Sequence, residues 1–569
     1  MRPFFCLLVP LRMQPYFAHR HLSLFAGLLA IVLAAGWLLP NHYPPWLAFH
    51  ANALVACALS LIALRGLYMV RGAVAITRGG LVLILLAATP WAQHWMGLLP
   101  LPSDAALISL CLLGAAFAYI VGLHWSKFTH LRPAAYVLTA MAIAAVISAG
   151  LASYQWLGFA RDLGLMDIWI LPFSEGTRPY ANMGQPNQLA SLLICGLLGI
   201  AWSRHTGAIG NTMSLALAAW IVWGIALTES RTALLTLLLG VLFLTIKKPA
   251  YLQKKEIRYC QAIFLFYLIC FFGKGSFAQV IGLDMPLSIM ERSAGELRVS
   301  LWKMAIDASL QSPWIGYGWG KSRVGFFTVF ENYRESFGNT YFEQSHNIFL
   351  DLVLWLGWPL TIIISLLAVL WSYRAIQSID TLQKFLVFSA MTVLLIHAML
   401  EFPLHYGYFL WPFCMMAGSL AAGWEKEMAA RMSFRHPVAF AVIIALLLAQ
   451  IAVITDYIKI EDSFTELRFQ IARIGSDHDE SLPRTVFLTD WPDVIALTRK
   501  TPYAGMRDDE IDRWQALMIY NTSPLAIRKV IGAYKLNGNE AEARAWALRA
   551  CWLLSEKACA GLYDEWQGE

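Results

Sequence analysis

Five polar clusters interrupt an otherwise apolar chain, and their residue types define the chemistry to consider. In TESRTALLTLLLG, Glu229, Ser230 and Arg231 open an apolar helix. A helix N-terminus presents unpaired N–H groups and the positive end of the dipole, and arginine adds a permanently charged fork suited to phosphate oxygens. The same arginine could equally snorkel toward water and pair with Glu229. In ERSAGELRVSLWKMAIDASLQSPWIGYGWGKS, Leu297, Leu301 and Met304 share one face of a helix that also carries Arg298 and Lys303. Such a helix is expected to lie on the membrane surface, its cations within reach of a lipid-linked anion or of ordinary headgroups. A turn through Pro313, Gly316, Gly318 and Gly320 follows.

In YFEQSHNIFLDLVLWLGWPL, His346 opens another apolar helix, with Ser345 the expected cap. A helix N-terminus disfavours the imidazolium, so the ring stays neutral and able to accept a proton, as a general base must. A lone histidine there also serves as a packing or capping residue. EFPLHYGYFLWP supplies Glu401, His405, Tyr406 and Tyr408. Interfacial tyrosines are common, but a carboxylate beside an apolar segment calls for a role. RPYANMGQPNQLASLL supplies Arg178, Gln185, Asn187 and Gln188. Amides both donate and accept hydrogen bonds, which sugar recognition requires; Pro186 also suits the first turn of a helix.

The elements that position these groups follow from composition. Of 569 residues, 58% are hydrophobic and 14% charged, against roughly 45–50% and 25% in soluble domains. A net charge of +6 gives no reason to invoke nucleic acid. A spanning helix needs about 20 apolar residues, and segments of that kind fall near 22–40, 46–64, 80–98, 104–124, 134–156, 186–203, 211–228, 230–246, 258–273, 346–372, 383–400, 405–423 and 436–455. With a cytoplasmic N-terminus (1–21), the inside loops carry Arg65, Arg71 and Arg78; Lys127 and Arg132; Arg204; Lys247, Lys248, Lys254, Lys255 and Arg258; Arg374 and Lys384; Lys426, Arg431 and Arg435. The short outside loops carry Arg161, Arg178 and Arg231. This asymmetry is the positive-inside pattern.

The expected fold is therefore an all-α polytopic membrane protein of about 13 transmembrane helices, nine in 22–273 and four in 346–455. A large periplasmic loop (274–345) and a helical periplasmic C-terminal domain (456–569) complete it. In the tail, a turn at Asn537-Gly538 separates two apolar-periodic runs, as in a helical hairpin of tetratricopeptide-like kind. The first segment is expected to act as an uncleaved targeting signal, with Met13 an alternative start. The nine cysteines form no CxxC and no zinc spacing, so neither metal nor other cofactor is expected. Cys551 and Cys559 would lie too far apart on one continuous helix, whereas a turn near Ser555–Lys557 permits a disulfide; both readings stand.

All five polar clusters fall on the predicted periplasmic side. ESRTALL, RVSLWKMAIDASLQSPWIGYGWG and SHNIFLDLVLWLG resemble the three signatures of the O-antigen ligase/polymerase superfamily. GQPNQLA and the long outer tail resemble the PglL-type bacterial O-oligosaccharyltransferases within it. The likeness runs from about Gly176 onward and is weakest in the first five spans. It implies an inner-membrane enzyme with its active site facing the periplasm, performing metal-independent, inverting transfer of a glycan. The donor would be undecaprenyl-pyrophosphate-linked and the acceptor a Ser or Thr hydroxyl of a periplasmic, pilin-like protein. By that resemblance His346 would be the base, Arg231 and Arg298 would hold the departing pyrophosphate, and Gln185 with Tyr406 or Tyr408 would position sugar or acceptor; Asn187, Glu401 and His405 are placed with them. An O-antigen ligase acting on lipid A–core, or a polymerase, shares the fold. A transporter would instead place its charges near the bilayer midplane and repeat its halves, and a scaffold would tolerate loss of His346.

Overall fold

The computed structural model describes residues 16–70, 73–160, 168–173, 177–283, 294–337, 342–425, 433–475, 479–520, 523–551 and 559. The expectations for Met13, Arg71, Arg161, Lys426, Arg431 and the Ser555–Lys557 turn lie outside these. The helices are α1 (Tyr16–Leu38), α2 (Phe49–Met69), α3 (Arg78–Trp95), α4 (Pro102–Thr129), α5 (Arg132–Trp156), α6 (Pro186–His205), α7 (Asn211–Leu227), α8 (Arg231–Lys247), α9 (Lys254–Val280) and α10 (Ala294–Gln311). They continue as α11 (Ser322–Val329), α12 (Arg334–Phe337), α13 (Ile348–Gln377), α14 (Leu382–Ala398), α15 (Gly407–Ala421), α16 (His436–Ala472), α17 (Trp491–Arg499), α18 (Asp508–Tyr520), α19 (Pro524–Leu536) and α20 (Glu540–Ala550). Each apolar segment anticipated from sequence falls on one of them. Seven, α2, α4, α5, α6, α9, α13 and α16, are long and apolar enough to cross a membrane. The departure from an all-helical fold, among the described residues, is a two-residue antiparallel pair, β1 (Val74–Ala75) with β2 (Ser433–Phe434).

Two large hydrophobic cores organise the described residues. The first joins α1, α2, α4–α7, α14 and α15. Small residues let these helices approach closely, as apolar helices in a membrane must, because lipid supplies little drive for their association. A Cβ on Gly418 would come within 1.9 Å of the Tyr119 carbonyl, and one on Gly122 within 2.2 Å of that of Met415, so α4 and α15 touch backbone to backbone. The second core unites α10, α11 and the start of α13 with the C-terminal helices. Phe327 meets Trp546 edge-on at 5.8 Å, and Ser103 donates its backbone N–H to Asp490 at 3.0 Å.

Several boundaries differ from expectation. Helix α9 runs on to Val280, past the predicted loop start. Helix α16 is continuous from His436 to Ala472; at 1.5 Å per residue it is about 55 Å long, well beyond the roughly 30 Å of a hydrocarbon core. The predicted boundary at 455 thus falls within one rigid rod. Asp456, the first acidic residue along α16, accepts the backbone N–H groups of Val486, Phe487 and Leu488 at 2.6–3.2 Å, fixing the chain that leads into α17. The Asn537-Gly538 turn forms where expected, between α19 and α20, and Gly538 takes φ +79°. Cys551 and Cys559 are disulfide-bonded, with their Cα atoms 4.9 Å apart. This resolves the two readings in favour of the bond, since α20 ends at Ala550.

Helix α10 also departs from expectation. Its Leu301–Met304 face does not lie on lipid: Leu301, Met304, Ala305 and Ala308 are buried in the second core. The glycine turn explains why. Helix α13 breaks at Gly357 (φ +76°), and the turn docks into the break. Tyr317 and Gly318 N–H donate to the carbonyls of Leu354 and Trp355, while Trp358 N–H donates to that of Pro313. A Cβ on Gly316 or Gly357 would come within 2.5 Å of the opposing backbone. The turn thereby clamps α10, and with it Arg298, against α13.

Candidate active site

The carboxylate of Glu401 is the hub. It lies three residues beyond α14, is 4% exposed, and accepts from donors on three chain-distant segments. Oε1 accepts Asn187 Nδ2 at 3.1 Å and the Arg298 guanidinium. Oε2 faces His346 Nδ1 at 2.9 Å and Gln185 Nε2 at 3.4 Å. A carboxylate has about four acceptor sites, so these partners fill it. Burial alone would raise the pKa of Glu401; the hydrogen bond and charge of His346, with the charge of Arg298, outweigh it and hold the value down to about 2. The carboxylate is therefore ionised at any physiological pH.

Each donor is held by local structure. Gln185 is the N-cap residue of α6, and Asn187 lies in its first turn behind Pro186. The preceding loop is knitted by two buried amides. Gln155 Oε1 accepts the N–H groups of Tyr180 and Ala181, and Asn182 Nδ2 reaches the carbonyls of Leu38 and Trp169. Ser230 caps α8 and donates its hydroxyl to Asn187 Oδ1 at 2.8 Å, linking the ESR segment to Glu401 through one intermediary. His346 sits one residue before the cap of α13, which is Asn347 rather than Ser345: the Asn347 side chain accepts the N–H groups of Phe349 and Leu350. Asparagine holds the cap because α13 begins at Ile348, which puts Ser345 two residues upstream of the cap, where its hydroxyl donates to the Asn347 carbonyl at 2.9 Å.

Three non-glycine residues of these segments occupy the left-handed region: Ala181 (φ 49°), Glu229 (φ 50°) and His346 (φ 57°). Such conformations cost on the order of 1–3 kcal/mol each and persist where surrounding structure enforces them, often at functional sites.

Of the residues singled out from sequence, Gln185, Asn187, Arg298, His346 and Glu401 converge directly. Arg231 follows Ser230, is exposed, and has no ion-pair partner among the described residues. The anticipated pairing with Glu229 is not formed; Glu229 pairs instead with Lys274 at 3.2 Å. Lys303 is exposed on α10. Tyr408 is buried and donates its hydroxyl to Gln188 Oε1, while half-buried Tyr406 stacks on it at 5.1 Å. His405 turns to a different carboxylate, with Nε2 3.4 Å from Asp351 Oδ2. Phe402 and Phe342 meet the His346 ring edge-on at 5.0 and 5.7 Å. Sequence reasoning missed Gln155, Asn182, Ser230 as a linker, and Asp351. Asp351 did carry a signal, being a carboxylate in the first turn of an apolar helix.

With Nδ1 on a carboxylate, the His346 ring is oriented and Nε2 is left to take a proton, the arrangement by which a histidine base is fixed in one tautomer. Two guanidinium groups lie on segments tied to the same carboxylate, one paired and one uncommitted. An oriented imidazole and a guanidinium thus share one buried carboxylate in a multi-pass, helical membrane protein.

Comparison with known proteins agrees with this class. Residues 215–365 match the O-antigen ligase family, 179–202 the protein glycosylation ligase family, and 385–561 the C-terminal part of the virulence factor membrane-bound polymerase family. The chain is 28% identical over 523 residues to a general O-oligosaccharyltransferase of Acinetobacter baylyi, covering 88% of this chain and 87% of that one. It is 26% identical over 265 residues to a ComP-specific O-oligosaccharyltransferase of the same organism, covering 45% and 46%. These matches bear out the resemblance carried by the motifs. Over most of its length the chain is similar to O-oligosaccharyltransferases, and it carries segments that match the O-antigen ligase and protein glycosylation ligase families.

Proposed function

We propose that this chain is a protein O-oligosaccharyltransferase. It moves an oligosaccharide from undecaprenyl pyrophosphate to a Ser or Thr hydroxyl of a periplasmic, pilin-like protein, by metal-independent inverting transfer. The observation that carries the reading is the Glu401 carboxylate, which holds His346 by Nδ1 and Arg298 by its guanidinium at once. His346 Nε2 accepts the proton of the acceptor hydroxyl as its oxygen attacks the anomeric carbon, and the carbon–oxygen bond to the pyrophosphate breaks. Arg231, exposed at the start of α8, and Arg298 receive the pyrophosphate, whose charge develops as it leaves. Gln185 and Asn187 position the sugar, Tyr406 rather than the buried Tyr408 faces the substrates, and His405 supports the turn that carries Glu401.

In this reading thirteen helices span the inner membrane and residues 1–21 are cytoplasmic. The 274–345 segment and the C-terminal domain from 456 onward lie in the periplasm, on the side of the Glu401 cluster, as the loop charges support. The closest competing reading, a ligase acting on lipid A–core, is separated by the acceptor. The test supplies the purified chain with lipid-linked glycan and either pilin or lipid A–core. A glycan mass on a pilin serine or threonine is the expected result; transfer to lipid A–core alone overturns the protein-acceptor assignment.

A further inference from the structure

Behind the cluster lies a second buried carboxylate that the reaction does not use. Asp351 is fully buried in the first turn of α13. Its Oδ1 accepts the backbone N–H of Ser345 at 2.8 Å and the hydroxyl of Ser322 at 3.1 Å; that hydroxyl oxygen in turn accepts Trp355 Nε1–H at 2.8 Å. Its Oδ2 lies 3.4 Å from His405 Nε2. Asp351 therefore touches both turns that matter: the Ser345–Asn347 turn bearing His346, and the 401–408 turn that begins at Glu401. A further bond ties the His346 turn to the end of α14, just before the second turn, from Asn347 Nδ2 to the carbonyl of Met399 at 3.1 Å.

The need for such a clamp is visible in the backbone. His346 is held at φ 57°, a conformation that an L residue leaves unless its neighbours are fixed. Those neighbours are Ser345, whose N–H is taken by Asp351 and whose hydroxyl is taken by the Asn347 carbonyl, and Asn347, whose side chain caps α13. Released from Asp351, Ser345 would have a buried N–H without a partner and the turn would relax toward right-handed φ. The imidazole would then swing off Glu401.

We propose that Asp351 is a positioning residue for transfer: by gripping the Ser345 N–H and facing His405, it sets the distance and aim between His346 and Glu401 without touching substrate. This rests on the reading of His346 as the base. A positioning role predicts a fault in turnover rather than in donor binding, since the guanidinium groups lie on other segments.

The experiment measures kcat and the KM for lipid-linked glycan in the reconstituted two-substrate assay, with His346→Ala alongside. Asp351→Ala is expected to lower kcat by about a hundredfold, the scale of a misplacement of roughly 1 Å, at unchanged donor KM. Asp351→Asn, whose amide oxygen accepts the same N–H, restores kcat to near that of the unmodified chain. If Asp351→Ala does not accumulate in the membrane, Ser322→Ala removes the hydroxyl that anchors Asp351 Oδ1 and must show the same loss confined to kcat. Unchanged kcat in the alanine variants overturns the proposal, as does a loss in which donor KM rises in step or which asparagine fails to rescue. Full activity of His346→Ala overturns the underlying reading instead.

Discussion

Replacing Glu401 by glutamine tests the hub with almost no change of shape. The carboxylate now accepts from donors at both oxygens, with Asn187 and Arg298 on Oε1 and Gln185 and His346 on Oε2. A glutamine offers one oxygen and one NH2, so two donors must face a third. Turning the NH2 toward Oε1's place sets it against a guanidinium that cannot give up its charge. Turning it toward Oε2's place sets it against His346, which can move its proton from Nδ1 to Nε2. The second arrangement costs less and is expected to prevail. The ring nitrogen that should take the acceptor proton then already carries one, and general-base assistance, worth about 10²–10⁴-fold, is lost. Arg298 loses its counter-ion as well, a charge-assisted bond of about 1.5–3 kcal/mol. The assay is single-turnover transfer of glycan to pilin by the reconstituted variant, with membrane insertion verified by monodisperse elution. The expected result is a fall in rate within that range; a rate within about tenfold of the unmodified chain rules out the tautomer shift.

Three further outcomes are expected. Arg231→Lys keeps the charge but loses the planar fork, so donor KM should rise about tenfold or more, as for one charge-assisted bond of about 1.5 kcal/mol, measured with lipid-linked glycan as the varied substrate. Because the folded pKa of Glu401 is depressed to about 2 from 4.5, its contribution to stability is present in full well above 4.5 and is lost as pH falls toward 2. The melting-temperature difference between the unmodified chain and Glu401→Gln should accordingly be flat at neutral pH and shrink only in that acid window. Gly357→Ala places a Cβ 2.5 Å from the Trp314 carbonyl at φ +76°, so it should lower the melting temperature and displace α10, seen as lost donor binding by an otherwise inserted protein.

The helices were legible because apolar segments of spanning length leave few alternatives, and the loop charges supplied an orientation to propose. Their ends were less so. Lys254–Val280 continues past the apolar window because Lys274 finds Glu229, and α16 continues because Tyr457 and Ile460 are buried in the second core and Asp456 holds the 486–488 backbone, contacts invisible along the chain. The residue types of the cluster were legible from their places at helix ends, His346 and Arg298 among them. That Glu401 would bind four of them was not, because convergence is a property of packing rather than of spacing. Ser345 looked like the cap of α13 by type; the helix begins two residues later than that reading required, at Ile348, so Asn347 accepts the first N–H groups. The face of α10 read as lipid-facing is buried because the glycine turn docks at Gly357, a fit between segments some forty residues apart.

In the proposed reaction His346 takes the proton of a protein hydroxyl. The most direct measurement is transfer by purified His346→Ala, supplied with undecaprenyl-pyrophosphate glycan and pilin and read by intact mass of the acceptor. The expected result is a correctly inserted protein that still binds donor and leaves the pilin mass unchanged. Pilin glycosylated at the unmodified rate would contradict it.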